Sequence, residues 1–264
     1  MQAMTTADRV PVLMYHRVGD VQTASEARYC VTPGRFEAQM GALASNGYRA
    51  VGIDAFVGWL GGGPPLAAGN FVLTFDDGFR GVHDHALPVL ERLGWPATIF
   101  LVTDLLGEVD AWNAGATDGG SLYPLLTADE VRAMQARGCS FHSHTRTHAS
   151  LPALADGALA DQLAGSRAAL EKLLGQRANL LAYPYGHLDD RVEAAARAAG
   201  YRAAFSVQTG FNRQDVNPFR IRRLDVFGTD TPGALLRKLR LGSNDGSLRS
   251  TWRYYLRRAL GGGG

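Results

Sequence analysis

The chain has 264 residues, 46% of them hydrophobic and 20% charged, which excludes disordered and collagen-like classes and suffices for one barrel-sized domain. A formal net charge of +2 supplies no field to draw the protein onto nucleic acid. Two cysteines, Cys30 and Cys139, form neither a CxxC pair nor a disulfide scaffold and are expected buried, reduced and structural.

The opening MQAMTTADRV lacks the basic start and apolar run of a signal peptide, and no later stretch reaches the length of a membrane span. A cytoplasmic protein without a transmembrane segment is the resulting expectation. Residues 10–15 (VPVLMY) read as a strand that presents His16 at its end. Thr32 and Pro33 then suit an N-cap and first helical position, and Phe36, Met40 and Leu43 continue at helical spacing.

A buried strand at 71–75 runs into Asp76, Asp77 and Gly78, and Leu87, Leu90 and Leu93 mark a helix that stops at Gly94. The next strand is 97–102. Thr127 and Glu130 form a capping-box pattern ahead of a helix ended by Gly138, and a strand follows at 139–142. A long helix over Asp156–Leu174 precedes a strand at 179–183, and a helix at 189–199 precedes one at 202–207. Strand and helix alternate throughout, which predicts an α/β fold with a mostly parallel sheet. The glycine-proline run at 61–65 is a turn inside this rhythm, so the expected layout is a tail at 1–9, one domain at 10–249 and a basic aromatic tail at 250–264.

Three strings carry chemistry. In Thr74-Phe75-Asp76-Asp77-Gly78, two adjacent carboxylates stand at a strand end, where α/β folds build active sites. Adjacent side chains diverge, so one can bind a cation while the other faces substrate. Alone, the string also fits an Asp-Gly turn with a capping aspartate.

In His142-Ser143-His144-Thr145-Arg146-Thr147-His148, the histidines at 144 and 148 are four apart, so a helical turn would project both from one face. With one carboxylate they make a set suited to a divalent ion with positions left open, zinc being expected and cobalt, nickel, manganese or iron the alternatives. The third string, Ala182-Tyr183-Pro184-Tyr185-Gly186, predicts a tight turn whose N–H groups can serve an oxyanion.

TFDDG, HTRTH and YPYG in this order resemble the polysaccharide deacetylases with a NodB-homology domain, the carbohydrate esterase family 4 group, over residues 10–226. The resemblance implies a distorted (β/α) barrel and removal of N-acetyl groups from acetamido sugars of a polysaccharide or glycan precursor. It implies Asp76 as general base, Asp77, His144 and His148 as metal ligands, the Tyr185 N–H as oxyanion donor, and Tyr183 and Pro184 beside the substrate.

VPVLMYHRV also looks like the branch in which the late histidine motif is displaced to the first strand, which implies His16 as general acid; His187 is the last histidine of the chain. Where many members have RPPYG this chain has AYPYG, so the arginine that supports the base must come from elsewhere, with Arg223 favoured over Arg222. A non-sugar amide, a formamide or an O-acetyl ester is the alternative substrate. A non-catalytic sugar-binding module is the alternative class, although Asp76, Asp77, His144 and His148 are all retained. The tail STWRYYLRRAL mixes aromatic and arginine residues and suits either a packed helix or an interfacial one touching membrane.

Overall fold

The computed structural model describes residues 6–22, 26–114 and 122–249; the basic aromatic tail and residues 1–5 lie outside the described residues. In chain order the strands are β1 (Val12–Tyr15), β2 (Arg17–Val18), β3 (Cys30–Val31), β4 (Arg49–Ala50), β5 (Asn70–Phe75), β6 (Thr98–Leu101), β7 (Ser140–Ser143), β8 (Leu180–Ala182), β9 (Ala203–Phe205) and β10 (Leu224–Asp225). Between them run α1 (Pro33–Ser45), α2 (Ile53–Leu60), α3 (Leu87–Leu93), α4 (Ala128–Ala136), α5 (Asp156–Leu174), α6 (Asp190–Ala198) and, last, α7 (Pro232–Leu241).

Local chemistry explains many of the boundaries. Thr127 and Glu130 close the reciprocal capping box expected at the start of α4. Gly94 and Gly175 end α3 and α5 in the left-handed conformation. Helices α2 and α7 add to those read from the sequence, and α7 starts on Thr231 as N-cap with Pro232 after it.

The main sheet runs β10, β1, β5, β6, β7, β8, β9, with β4 also beside β5, and every pairing between these strands is parallel. Both faces are covered, so burial alternates between two cores. Leu13, Tyr15, Phe71, Leu73, Phe75, Ile99 and Leu101 pack outward against the helices. Val12, Val72, Phe100, Leu180, Ala182 and Phe205 fill the inside of the curl.

The edges β9 and β10 do not pair directly. Ile221 bridges part of the gap, its N–H donating to the Ala204 carbonyl (3.0 Å) while its own carbonyl accepts from the Ser206 N–H (2.8 Å). The result is the curled half-barrel of an α/β distorted barrel. Because the strands are parallel, their carboxyl ends share one rim, and the segments after β1, β5, β7 and β8 meet there with β10.

Candidate metal centre and active site

That rim encloses a cavity of about 500 Å³ whose lining includes His16, Asp76, Asp77, His144, His148, Tyr183, Tyr185 and Asp225. Asp77 leaves β5 with φ 74°, and Gly78 follows at φ 82°. A Cβ on Gly78 would lie 2.6 Å from Leu101 Cδ2, so the turn needs glycine for space as well as for conformation.

The histidine string is not the helical turn its spacing suggested. Thr145 and His148 are left-handed, at φ 69° and 63°. Side chains replace the helical hydrogen bonds: Ser143 Oγ accepts the Thr145 N–H (3.1 Å), Thr145 Oγ1 accepts the His148 N–H (3.2 Å), and Gln162 Oε1 accepts the N–H groups of Arg146 and Thr147 (3.0 and 3.1 Å). Serine and threonine compete with helix formation in this way. The two imidazoles converge through the loop instead.

His144 Nε2 and His148 Nε2 lie 3.3 and 3.2 Å from Asp77 Oδ1. Ligand atoms of the three residues fall within 4.8 Å of one another, and all three residues are buried. His144 Nδ1 donates to the Ala182 carbonyl (2.8 Å), which fixes the tautomer and leaves the Nε2 lone pair free. Asp77 Oδ1 is buried without a hydrogen-bond partner among the described residues. An orphaned carboxylate oxygen facing two imidazole nitrogens fits a divalent cation of borderline softness.

Burial works to raise the Asp77 carboxyl, but His144 and His148 against it outweigh burial and hold it well below the usual range. The ring of His148 is stacked on Trp112, 4.5 Å between centroids, and meets Tyr185 edge to face at the same distance.

Asp76 is 2% exposed and lines the same cavity. Arg223, fully buried, grips it with two parallel hydrogen bonds, Nη1 to Oδ1 at 2.7 Å and Nη2 to Oδ2 at 2.8 Å, and anchors its own Nε on the Ser206 carbonyl at 2.9 Å. Burial works to raise the Asp76 carboxyl; Arg223, then His144 and His16, overcome it, so the group stays ionised. Arg222 lies away, beside Gly210.

His16 packs against Tyr29, 4.9 Å between ring centroids, and its Nδ1 is buried without a partner among the described residues. Tyr183 is among the residues at the cavity, but its side chain is fully buried in the cluster with Leu151, Leu163, Val192 and Phe219, its hydroxyl donating to the Phe219 carbonyl (3.2 Å), whereas Pro184 is buried and does not line the cavity. Tyr185 turns left-handed at φ 58°, ψ 2°.

Asp77, Thr145, His148 and Tyr185 are the non-glycine residues with positive φ among the described residues, and all belong to the three strings. Such conformations cost about 1–3 kcal/mol each and persist where surrounding structure enforces them.

The sequence reading missed Trp112, Asp110, Tyr123, Glu26 and Asp225, all in the wall. Asp110 ties its loop together, accepting from the Tyr123 N–H (2.5 Å) and Asn113 Nδ2 (2.6 Å). Only the position of Asp225 directly after Arg223-Leu224 offered a signal, as the end of a strand.

A model of the polysaccharide deacetylase family matches residues 65–204, just over half of the chain. YxkH of Bacillus subtilis (strain 168), whose name places it provisionally among the polysaccharide deacetylases, is 26% identical over 218 residues, 83% of this chain and 71% of that one. The poly-beta-1,6-N-acetyl-D-glucosamine N-deacetylase of Staphylococcus epidermidis is 27% identical over 210 residues, 75% of this chain and 68% of the relative. In fold, the Streptococcus pyogenes deacetylase PplD, solved with acetate, superposes with a TM-score of 0.77 at 23% identity, covering 89% of this chain and 99% of that one.

Proposed function

We propose, because the chain belongs to the polysaccharide deacetylase family, that it is a metal-dependent hydrolase removing N-acetyl groups from acetamido sugars of a glycan. The observation that carries this reading is the convergence of Asp77, His144 and His148 in one cavity with the Asp76–Arg223 pair. The two imidazoles and the carboxylate hold the ion, with zinc expected from the donor set. When bound, the ion supplies Lewis acidity to water and to the acyl oxygen.

The chain's own groups divide the proton work. Asp76, held ionised by Arg223, takes a proton from the attacking water. The Tyr185 N–H donates to the oxyanion as the carbonyl becomes tetrahedral. His16, in the lining of the same cavity, gives its proton to the departing sugar amine. Base and acid must differ in protonation state at the same pH, and a carboxylate clamped by arginine with an imidazole opposite meets that need. The aromatic wall of Trp112, Tyr123 and Tyr185 suits the faces of a sugar.

Acetate release from N-acetylglucosamine oligomers, compared with O-acetyl esters and formamides and read beside metal content, tests the reading. Release from the acetamido sugars that is lost with chelator is expected; no release from any of them ends it.

A further inference from the structure

After α7 the chain is folded back on itself. Gly242 ends the helix at φ 64°, Arg237 Nε donates to the Gly246 carbonyl (2.6 Å), and a Cβ on Gly246 would meet the Ala234 carbonyl oxygen at 2.7 Å. This turn lays Asn244 against Asp225. The Asp225 N–H donates to Asn244 Oδ1 (2.9 Å), and Asn244 Nδ2 donates to Asp225 Oδ2 (2.5 Å). A main-chain N–H only donates and a carboxylate only accepts, so chemistry dictates which way the amide points. No other side chain of this size offers one donor and one acceptor in a single plane.

Lys238, 1% exposed, donates to the Asp225 carbonyl (2.9 Å) and to Asp230 (2.5 Å). Asp225 is thus gripped at its N–H, its carbonyl and Oδ2, which leaves Oδ1 as the oxygen Asn244 does not engage. In the sheet, Met14 is the register partner of Asp225, and the Val226 N–H donates to the Met14 carbonyl (2.9 Å). His16 follows two residues after Met14, just past the end of β1, and both His16 and Asp225 line the cavity.

We propose that Asn244 is a positioning residue: its carboxamide holds the Asp225 carboxylate turned toward His16, so that His16 keeps its proton until the sugar amine leaves. The proposal rests on the reading of His16 as the acid. Burial raises the Asp225 carboxyl, and the charges of His16, Arg223 and Lys238 act to lower it. The other charged residues that line the cavity with His16 include Asp76, Asp77, Asp110, Arg17, Glu26 and Arg28. A change at Asn244 alters none of these groups, only the orientation of Asp225.

The test is acetate release from N-acetylglucosamine oligomers against pH, in the full chain loaded with metal, for wild type, Asn244→Ala, Asp225→Asn and the double variant. Melting temperature and metal content report folding. Loss of one oriented hydrogen-bonded clamp predicts that Asn244→Ala lowers kcat about 10-fold. KM should stay within about 2-fold, the high-pH limb of the kcat profile should move to lower pH, and the double variant should be no slower than Asp225→Asn.

Superimposable pH profiles, or effects of the two changes that multiply, overturn the proposal. If Asn244→Ala does not fold, Asn244→Asp keeps the shape of the turn while exchanging the donor for a second carboxylate, and unchanged kcat in that variant overturns the proposal equally. Wild-type protein inactive on every acetamido sugar takes down the deacetylase reading and this one together. Active wild type with unaffected Asn244 variants takes down this one alone.

Discussion

The metal side of the cavity and its acid–base side are assembled on different scales. Asp77, His144 and His148 come from two short strings on β5 and β7, and their geometry depends on turns within those strings: a left-handed Asp77, a left-handed His148, and hydroxyls that replace helical hydrogen bonds. Asp76, His16, Arg223 and Asp225 come from distant parts of the chain, and Arg223 is 147 residues from the carboxylate it holds. Only the parallel pairing of β1 with β5 and β10 brings them together. The metal side should therefore fail one ligand at a time, without loss of fold. Damage on the acid–base side should couple chemistry to stability.

The largest effect is expected at the ligands. Asp77→Ala or His144→Ala should lower kcat/KM by about 10³-fold or more, because an ion's Lewis acidity contributes several kcal/mol. Metal content should fall with activity while the melting temperature of the metal-free protein holds. An active, metal-free variant would break the division into two sides.

Next come the proton carriers. Asp76→Asn should cost about 10²–10⁴-fold in kcat with metal retained, and His16→Gln about 10²-fold, as the loss of a general base or acid predicts. Metal loss in Asp76→Asn, measured by elemental analysis, would show the two sides to be one unit.

Arg223→Met should act on both activity and stability. It leaves a buried carboxylate unpaired, a loss of about 3–5 kcal/mol in denaturant unfolding. Arg223 helps to hold the Asp76 carboxyl below its unfolded value, so the stability this contributes is present above about pH 4 and lost as pH falls through the lower folded value. In the variant that acid-range contribution disappears, and the acid limb of kcat/KM moves to higher pH. An unmoved limb would detach Arg223 from Asp76 chemistry.

The smallest effect separates His142 from the ligand pair two residues on. Its ring lies 6.3 Å from Phe100, both nitrogens are buried without partners among the described residues, and burial pushes it down to about 4. The neutral form is favoured in the fold, so stability is full above about pH 6.5 and declines as pH falls toward 4. His142→Leu should keep metal and raise the melting temperature at pH 5 more than at pH 8. An equal gain at both pH values would show that His142 does not titrate in this way.

The alternation of strands and helices, the capping box of α4, the parallel sheet and the three strings at its rim are legible in the chain, because each depends on residues near one another in it. Period-two burial and turn chemistry are local and can be read in order. The histidine string marks the limit of such reading: spacing pointed to the right pair of imidazoles but to a helical turn, since the hydroxyls of Ser143 and Thr145 and the amide of Gln162 decide that loop.

Tertiary structure alone decided which groups stand opposite the metal side. That Arg223 rather than Arg222 holds Asp76, that Trp112 stacks on His148 and that Asn244 clamps Asp225 follow from the register of β10 on β1 and from turns closed far along the chain. No local pattern encodes these contacts, because their partners meet only after the sheet has curled.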